Sequence, residues 1–423
     1  MKNVGGRYLI VADPVETLNP EFDLGVCISR ELIARGVAVD YLDLLASDAG
    51  QPSDRYLAAL PVREIQSSDA GRTPFWELGP ARIAAVGEYR VILQRKDPPV
   101  DRTFIEYSRH FEAVPDSIVQ INRPPATYEL SEHTVILRYP EFAAPTAVCG
   151  SFEDLVVAVR RQPGEAVLKP KSTYCGIGVT FLPNGVPEQE LRSVWGRWGP
   201  EVIVQPYLEA IEESGDLRIL TINDRVLGSV LRVPAPGSRL ANLHQGASAA
   251  RLDPSPRQLE ACRAVAADLN PMGLHLLGLD FIGDHLTEVN FTSPTTIVQI
   301  NRVNGIRADV DLVDELERMW RERDSRAAMA TPARRNRLIC KDRAVPEGWV
   351  VVGHSHSPAC PGTGDNVWII KRPGRREVVA ASSPVPAGYS RVRPTRSQHC
   401  PGEGDNAWWI ERPPLPDPGH TAS

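Results

Sequence analysis

Polar side chains interrupt the apolar stretch GLDFIGDHLTEVNFTSPT, residues 278–295, which is otherwise typical of two buried strands joined by a Gly-Asp turn. Asp280 lies in the first strand, and Glu288 and Asn290 share one face of the second by the two-residue period. Carboxylate and amide oxygens suit Mg²⁺, which in proteins usually also contacts nucleotide phosphates. Unpaired buried carboxylates are costly, so a cation explains the pattern better than a buried polar network does. The hairpin therefore predicts a metal site at Asp280, Glu288 and Asn290.

A second stretch, KPKSTYCGIGV, has the composition of a phosphate-binding loop. Lys169 ends a predicted strand, and Gly176 and Gly178 lie in the turn that follows. Glycines allow backbone N–H groups to approach a phosphate closely, and the lysine supplies positive charge. The stretch is not a Walker loop, because no Gly-Lys-Ser/Thr opens a helix. The alternative is a β-hairpin with a glycine turn.

The stretch VIVQPYLEA is an apolar strand that runs into Gln205, Tyr207 and Leu208. It fits either a hinge whose backbone contacts an adenine edge or an ordinary buried strand end. Asp216 and Arg218 follow in SGDLRIL and alternate with Leu217, so they share a face. Both could be surface residues.

Length, composition and charge limit the classes of protein. A chain of 423 residues has room for two or three domains, and its net charge of −6 argues against a nucleic-acid binder. No apolar run approaches the roughly 18 residues of a membrane span, and no signal-peptide pattern opens the chain. Seven cysteines in a chain of this length do not indicate a disulfide scaffold. A cytoplasmic location is expected.

Strand and helix patterns divide the chain into four regions. Residues 1–124 alternate strand, helix and strand, which predicts an α/β domain with a parallel sheet. Residues 125–325 predict an α+β module, and 326–340 resemble a linker. Residues 341–423 contain a tandem repeat.

The repeat aligns residues 346–373 with 386–413 without a gap, at an offset of 40 positions. Each copy is short, aromatic and turn-rich, which predicts two small β-hairpin units. Cys360 and Cys400 recur, but the nearby His354, His356 and His399 do not recur at that offset, so a zinc site is disfavoured. The aromatic residues could form the whole core of the units, or could dock a carrier or peptide partner.

Over residues 7 to about 320 the chain resembles the bacterial glutathione synthetases of the ATP-grasp superfamily. The resemblance is carried most specifically by QRKDPPVD and GLDFIGDHLTEVNFTSPT. Five further stretches follow the family order: VADPVETLNPEFD, INRPPATYELSEH, VLKPKSTYCGIGV, VIVQPYLEAIEESGDLRIL and GSVLRVPAPGSRLANL. The resemblance implies an N-terminal pre-ATP-grasp domain, an ATP-grasp module and a homo-oligomer. It also implies an ATP- and Mg²⁺-dependent ligase that joins a carboxylate to an amine through an acyl phosphate.

The resemblance also implies roles for individual residues. The expected ATP-binding residues are Arg123, Lys169, Gly176, Gly178, Gln205, Tyr207, Leu208 and Asp216. The expected reaction-centre residues are Lys169, Arg218 and Arg232, with Asp280, Glu288 and Asn290 holding two Mg²⁺ ions. The expected acceptor-substrate residues are Asn19, Asp23, Arg95, Lys96, Asp97, Asn242 and Ser293.

The chain departs from the family where a substrate would bind. The family usually has Arg-Gly-Asn followed by Gly-Gly-Arg, whereas this chain has Leu240-Ala241-Asn242 and Gly246-Ala247-Ser248. Arg239, one position earlier, could compensate. Arg123 stands where the family has a lysine, so a planar guanidinium group replaces a compact ammonium group. The product is therefore either glutathione or another amino acid or peptide amide. A non-catalytic scaffold that binds partners through the repeats is the remaining alternative.

Overall fold

The computed structural model describes residues 6–43, 57, 59–171, 177–241, 243, 246–334, 337–356, 361, 366–371, 373, 376–387, 389–397 and 406–411. Several residues singled out in the sequence lie outside these ranges: Gly176, Asn242, Cys360, His399 and Cys400. The chain forms two compact units, Met1–Arg321 and Glu322–Ser423.

The N-terminal sheet of the first unit has the order β4-β3-β2-β1-β5-β6. Its strands are Arg7–Ala12 (β1), Val39–Asp43 (β2), Leu60–Ser68 (β3), Trp76–Ala84 (β4), Tyr89–Arg95 (β5) and Val119–Ile121 (β6). β1 pairs in parallel with β2 and β5, and β5 pairs in parallel with β6. The helix Leu24–Ala34 (α1) connects β1 to β2. The predicted strand, helix and strand with a parallel sheet are confirmed.

One helix connects β5 to β6, and another follows β6 and leads to the second sheet, which is antiparallel. The helices are Arg102–Arg109 (α2) and Pro124–Glu129 (α3). The second sheet has the order β7-β10-β8-β9, with strands Ala147–Cys149 (β7), Ala166–Pro170 (β8), Thr180–Leu182 (β9) and Val202–Pro206 (β10). Two amphipathic helices, Phe152–Arg160 (α4) and Glu188–Trp198 (α5), bury Leu155 and Leu191 in the same core as the sheet.

The third sheet is antiparallel and has the order β13-β12-β11-β14-β15. Its strands are Asp216–Ile222 (β11), Arg225–Val233 (β12), Ser248–Ala250 (β13), Leu276–Ile282 (β14) and His285–Asn290 (β15). The accompanying helices are Ala210–Ser214 (α6), Pro256–Leu269 (α7) and Ile297–Asn304 (α8). β14 and β15 form the predicted hairpin with the two-residue Gly283-Asp284 turn. The α+β character expected for residues 125–325 is thus confirmed.

The predicted linker at residues 326–340 is regular structure instead. The helix Ala308–Arg334 (α9) occupies its first part, and the strand Arg337–Cys340 (β16) follows. Leu312 and Leu316 bury one face of the helix. The alanine-rich segment that follows has high helix propensity, so the helix continues and reaches Pro332 only in its last turn.

The second unit contains two three-stranded antiparallel sheets, so the prediction of two-stranded hairpins is incomplete. Their strand orders are β16-β18-β17 and β19-β21-β20. The remaining strands are Val350–Ser355 (β17), Val367–Lys371 (β18), Arg376–Ala380 (β19), Ser390–Thr395 (β20) and Ala407–Glu411 (β21). β16 and β19 precede the two aligned repeats. Val351, Ile370, Ala380 and Ala407 from both sheets share a buried cluster, because a lone hairpin cannot bury enough apolar surface.

None of the helices within the described ranges has the length and apolar content needed to cross a membrane.

Candidate active site

A cavity of about 430 Å³ lies where the second and third sheets meet the loops of the N-terminal sheet. Lys169, Phe181 and Gln205 line it from β8, β9 and β10. The strands of the third sheet contribute charged and amide side chains: Asp216, Arg218, Arg232, Asp280, Glu288 and Asn290. The N-terminal loops add Asn19, Asp23 and Asp97, and the segment after β15 adds Ser293. Tyr207 and Leu208 also line the cavity. They and twelve of the residues named above make fourteen sequence-predicted site residues that line one cavity.

Strand register brings four of the charged residues together. On paired antiparallel strands Arg218 lies opposite Asp280, and Asp216 lies opposite Arg232. Arg218 donates from Nε and Nη2 to the two Asp280 oxygens, at 2.5 and 2.6 Å. Arg232 Nη2 lies 2.7 Å from Asp216 Oδ2 and 2.9 Å from Asp280 Oδ2. Two arginines and two aspartates therefore form one buried network at the cavity floor.

Burial and ion pairing act in opposite directions on the two aspartates. Burial would raise the pKa of Asp280, but Arg218 and Arg232 outweigh it and hold that pKa at about 2. Burial raises the pKa of Asp216 to about 6, although Arg232 opposes the change. The Oδ1 atom of Asp216 has no hydrogen-bond partner within the described ranges, so it can accept a hydrogen bond from a hydroxyl group of a ligand. Burial would lower the pKa of Arg232, but the aspartates raise it, and its guanidinium stays charged.

The β14–β15 hairpin places the predicted metal ligands, Asp280, Glu288 and Asn290, in the cavity lining. Asp280 lies opposite Glu288, and the register shifts just after Asp280, so that Thr287 is the extra residue of a bulge. Asn290 Nδ2 donates to Asp280 Oδ2 at 3.2 Å, which leaves the amide oxygen of Asn290 available.

Across the described ranges, His, Cys, Asp and Glu side chains do not form a group of three that could hold a metal by themselves. Two carboxylates and an amide would need additional oxygen ligands from a phosphate and water. That incomplete protein coordination is usual for Mg²⁺, so the donor set fits this ion.

Lys169 differs from the arginines of the cavity in its ion pairing. Arg218 and Arg232 pair with the aspartates, and Arg239 pairs with Glu165. No carboxylate in the described part of the chain lies within ion-pair distance of the Lys169 ammonium, although β8 carries this side chain into the cavity. An unpaired ammonium in a partly buried cavity favours an anionic ligand such as a phosphate.

The end of β10 is the segment for which a hinge was predicted, and it lies at the cavity. Gln205 is buried, and its Nε2 donates to Thr146 Oγ1 at 2.9 Å. The Tyr207 backbone N–H donates to the Glu165 carbonyl at 2.8 Å, which extends the pairing of β10 with β8 by one residue. Leu208, the next residue, also lines the cavity.

Four described residues of the predicted site do not line the cavity. Arg95 is buried and donates from Nη1 to the Pro294 carbonyl at 3.0 Å, and Lys96 pairs with Asp13. Gly178 has a φ of +79°, and Trp198 leaves no room for a side chain there, so this glycine is a packing requirement.

Arg123, which was expected to bind ATP, is the fourth, and the structure does not place it in the cavity lining. Its Nη1 donates to Asp116 at 2.9 Å, and its aliphatic part packs on Gly273. The backbone N–H of Arg123 also donates to the Gly273 carbonyl at 3.0 Å. These contacts direct the side chain away from the cavity, because they fix both its base and its charged end.

Two further residues line the cavity that were not among the sequence-predicted site residues, Glu132 and His133. His133 Nδ1 lies 3.5 Å from Glu288 Oε2, and Glu132 accepts the backbone N–H groups of Phe291 and Thr292, both at 2.7 Å. Burial, with the nearby Glu288, raises the pKa of Glu132. Both residues follow α3 and reach the hairpin only through long-range packing, which local sequence patterns do not reveal.

Comparisons with known proteins give consistent matches. Residues 7–127 match the family described as prokaryotic glutathione synthetase, N-terminal domain, and residues 132–305 match its ATP-grasp domain. A glutathione synthetase of Gloeobacter violaceus is 30% identical over 321 residues, covering 73% of this chain and 96% of the relative. One from Thermosynechococcus vestitus is 31% identical over 310 residues, covering 70% and 95%.

Solved structures resemble the chain in fold alone. The D-cycloserine synthetase DcsG has a TM-score of 0.50 and 16% identity, covering 73% of this chain and 99% of its own. The ATP-grasp ligase PsnB, complexed with a minimal precursor, has a TM-score of 0.50 and 14% identity, with coverages of 74% and 98%.

Proposed function

The chain belongs to the prokaryotic glutathione synthetase family, whose members are ATP-dependent amide-bond ligases, and we propose that it joins γ-glutamylcysteine to glycine. The observation that carries this proposal is that Lys169, which has no ion-pair partner among the described residues, lies in the same cavity as the two arginines and the Asp280, Glu288 and Asn290 set. That combination of charges suits the binding of a nucleoside triphosphate beside a second anionic substrate.

The proposed reaction begins with attack by an oxygen of the substrate carboxylate on the γ-phosphorus of ATP. ADP leaves, and the product is a mixed anhydride of carboxylate and phosphate. The amine then attacks the acyl carbon and loses a proton, and inorganic phosphate leaves with the oxygen that the carboxylate contributed. Neither step needs a covalent bond to the protein, so the protein acts by positioning and by neutralising charge.

The cavity side chains have separate roles in these steps. Lys169 contacts the phosphates from β8. Arg218 and Arg232 face the transferring phosphoryl group, and the aspartates hold both guanidinium groups in fixed orientations. Asp216 Oδ1, which has no hydrogen-bond partner in the described part of the chain, accepts a hydrogen bond from a ribose hydroxyl. The end of β10, from Gln205 to Leu208, contacts the base.

Asp280, Glu288 and Asn290 would hold Mg²⁺. The ion, when bound, supplies positive charge that offsets the negative charge of the phosphates. Asn290 also holds Asp280 in place through its Nδ2 atom.

The acceptor substrate lies at the other end of the cavity in this proposal. Asn19, Asp23, Asp97 and Ser293 provide amide, carboxylate and hydroxyl groups there. Leu240 and Ala241 line the cavity as well, so apolar surface replaces a guanidinium that the family usually has in this segment. We expect weaker binding of a substrate carboxylate at this point, and a higher KM for γ-glutamylcysteine or glycine.

The test is phosphate release by the full-length protein with ATP, Mg²⁺, γ-glutamylcysteine and glycine, with mass spectrometry of the product. Phosphate and glutathione formed in equal amounts support the proposal. A parallel panel of amino acids and dipeptides is assayed under the same conditions. Release with another pair, and none with the first, would reject glutathione as the product while retaining the ligase chemistry.

We further propose that the protein forms a homo-oligomer and that its second unit binds a carrier or peptide partner. The family resemblance supports the first, and the half-buried aromatic residues Trp368, Trp408 and Trp409 support the second. Light scattering of the full-length protein tests the first, and KM values of a truncated chain test the second.

A further inference from the structure

Arg239 makes a set of contacts that the proposed reaction does not use. It lies in the segment between β12 and β13 of the third sheet, and it lines the cavity. Its two terminal nitrogens donate to the two oxygens of Glu165, the residue just before β8, in a forked pair whose Nη1–Oε1 distance is 3.0 Å. A forked arginine–carboxylate pair fixes geometry as well as charge.

Two aromatic rings hold the same guanidinium. The Arg239 Cζ atom lies 4.1 Å from the centroid of the Phe181 ring and 4.2 Å from that of Tyr207. The rings are themselves nearly perpendicular, with centroids 5.9 Å apart. Tyr207 is fixed in turn, because its hydroxyl donates to Glu212 at 2.7 Å. The guanidinium therefore lies against both rings while it pairs with Glu165.

These contacts join two different sheets across the cavity. Glu165, Phe181 and Tyr207 belong to the second sheet and its strand ends, whereas Arg239 is attached to the third sheet. The contacts lie at the β10 end of the cavity, beside Gln205 and Leu208. Movement of the Arg239 segment away from the second sheet at this end must break the forked pair and both ring contacts.

We propose that Arg239 and Glu165 form a clasp that retains the nucleotide base, an inference that rests on the proposed use of ATP. Arg239 is a positioning residue: it holds the third-sheet segment over the base site and slows release of the nucleotide. It takes no part in transfer of the phosphoryl group. Lysine cannot replace it fully, because an ammonium lacks the planar fork that matches the carboxylate and lies flat on a ring.

The test compares nucleotide binding with turnover in the full-length protein. We expect Arg239→Ala to raise the Kd for ADP and the KM for ATP about tenfold, with kcat at saturating ATP unchanged within about twofold. Glu165→Gln should shift the same two constants in the same direction, and Arg239→Lys should give an intermediate shift. The double variant, Glu165→Gln with Arg239→Ala, should have the same Kd for ADP and KM for ATP as Arg239→Ala alone, because both changes break the same ion pair.

Arg192→Ala is the matched control. Arg192 also pairs with a glutamate and lies 4.3 Å from an aromatic ring centre, but on α5 and outside the cavity. It should leave the Kd for ADP and the KM for ATP unchanged. Unchanged constants in Arg239→Ala, or a fall in kcat equal to the rise in KM, would overturn the clasp while ATP use stands. Wild-type protein that binds no ADP and uses no ATP would overturn the proposed function and the clasp together.

Discussion

Arg218 and Asp280 form a forked ion pair between directly opposed positions of β11 and β14, with donor–acceptor distances of 2.5 and 2.6 Å. The family resemblance implied separate roles for these residues, the reaction centre for the arginine and metal binding for the aspartate. The structure makes them dependent on each other. Asp280 stays ionised because of the two arginines, and the arginines keep a fixed orientation because of Asp280.

Arg218→Lys tests that dependence. An ammonium carries the same charge but cannot contact both oxygens of Asp280 in a fork, so its orientation is lost. We expect kcat to fall about 100-fold or more, as for removal of a group that stabilises charge in a transition state. Steady-state kinetics with saturating ATP measures this effect, and thermal unfolding checks that the variant is folded. A folded variant within threefold of the wild-type kcat would show that the fork is not required.

Glu288→Gln tests the metal site. The amide keeps the size of the side chain but removes the negative charge that a divalent cation needs. We expect ADP formation to be abolished, with no recovery as Mg²⁺ is raised. Glu190→Gln, an exposed change on α5, is the control and should match the wild type. Normal turnover in Glu288→Gln would exclude Glu288 as a metal ligand.

Asp40 gives a prediction about stability and pH. It is fully buried and accepts from Arg7, Arg82 and Tyr89. Burial would raise the pKa of Asp40, but these donors outweigh it and leave the pKa below its ordinary 3.8. A lowered pKa means that the folded state favours the ionised form. Its stabilising effect is therefore complete above the ordinary pKa and is lost as the pH falls through the lowered value.

Asp40→Asn should consequently lower the free energy of unfolding at pH 7 by about 3 kcal/mol, since it leaves two arginines without their buried partner. Denaturant unfolding at neutral pH and near pH 3 measures the difference. The gap between wild type and variant should shrink at the lower pH. A gap that is constant with pH would contradict the assigned ion pairs.

The sequence predicted the parts of the site that depend on local patterns. The β14–β15 hairpin is local, and its turn, period and polar residues are all visible in 18 consecutive residues. The parallel N-terminal sheet follows from alternation of strand and helix. The pairing of Arg218 with Asp280 was not predictable, because those residues are 62 positions apart and their contact depends on the register between strands.

The other differences between the sequence-based predictions and the structure also arise from contacts between residues that are distant in the sequence or from segments that were not aligned. Arg123 follows the buried Asn122 and resembles a nucleotide-binding residue in the sequence, but Asp116 and Gly273 fix it elsewhere. The third strand of each C-terminal sheet precedes the aligned residues 346–373 or 386–413, so the alignment of the two copies did not include it. Glu132 and His133 reach the site through packing of the segment after α3 against β15.

Truncation tests the boundary of the ligase. Leu312, Val313, Leu316 and Met319 of α9 are buried in the core of the first unit. A chain that ends after residue 334 keeps them, and we expect it to melt cooperatively and to retain wild-type kcat. A chain that ends after residue 311 loses these apolar contacts and should not fold. Aggregation of the longer chain would show that the C-terminal sheets are part of the ligase fold.

Transfer of oxygen from substrate to phosphate tests the proposed chemistry most directly. The carboxylate substrate is labelled with ¹⁸O in both carboxylate oxygens, turned over with ATP and Mg²⁺, and the released phosphate is examined by mass spectrometry. Attack of the carboxylate on the γ-phosphorus predicts one ¹⁸O atom in each phosphate released. Unlabelled phosphate, or label that appears in AMP, would contradict an acyl phosphate and require a different route to the amide.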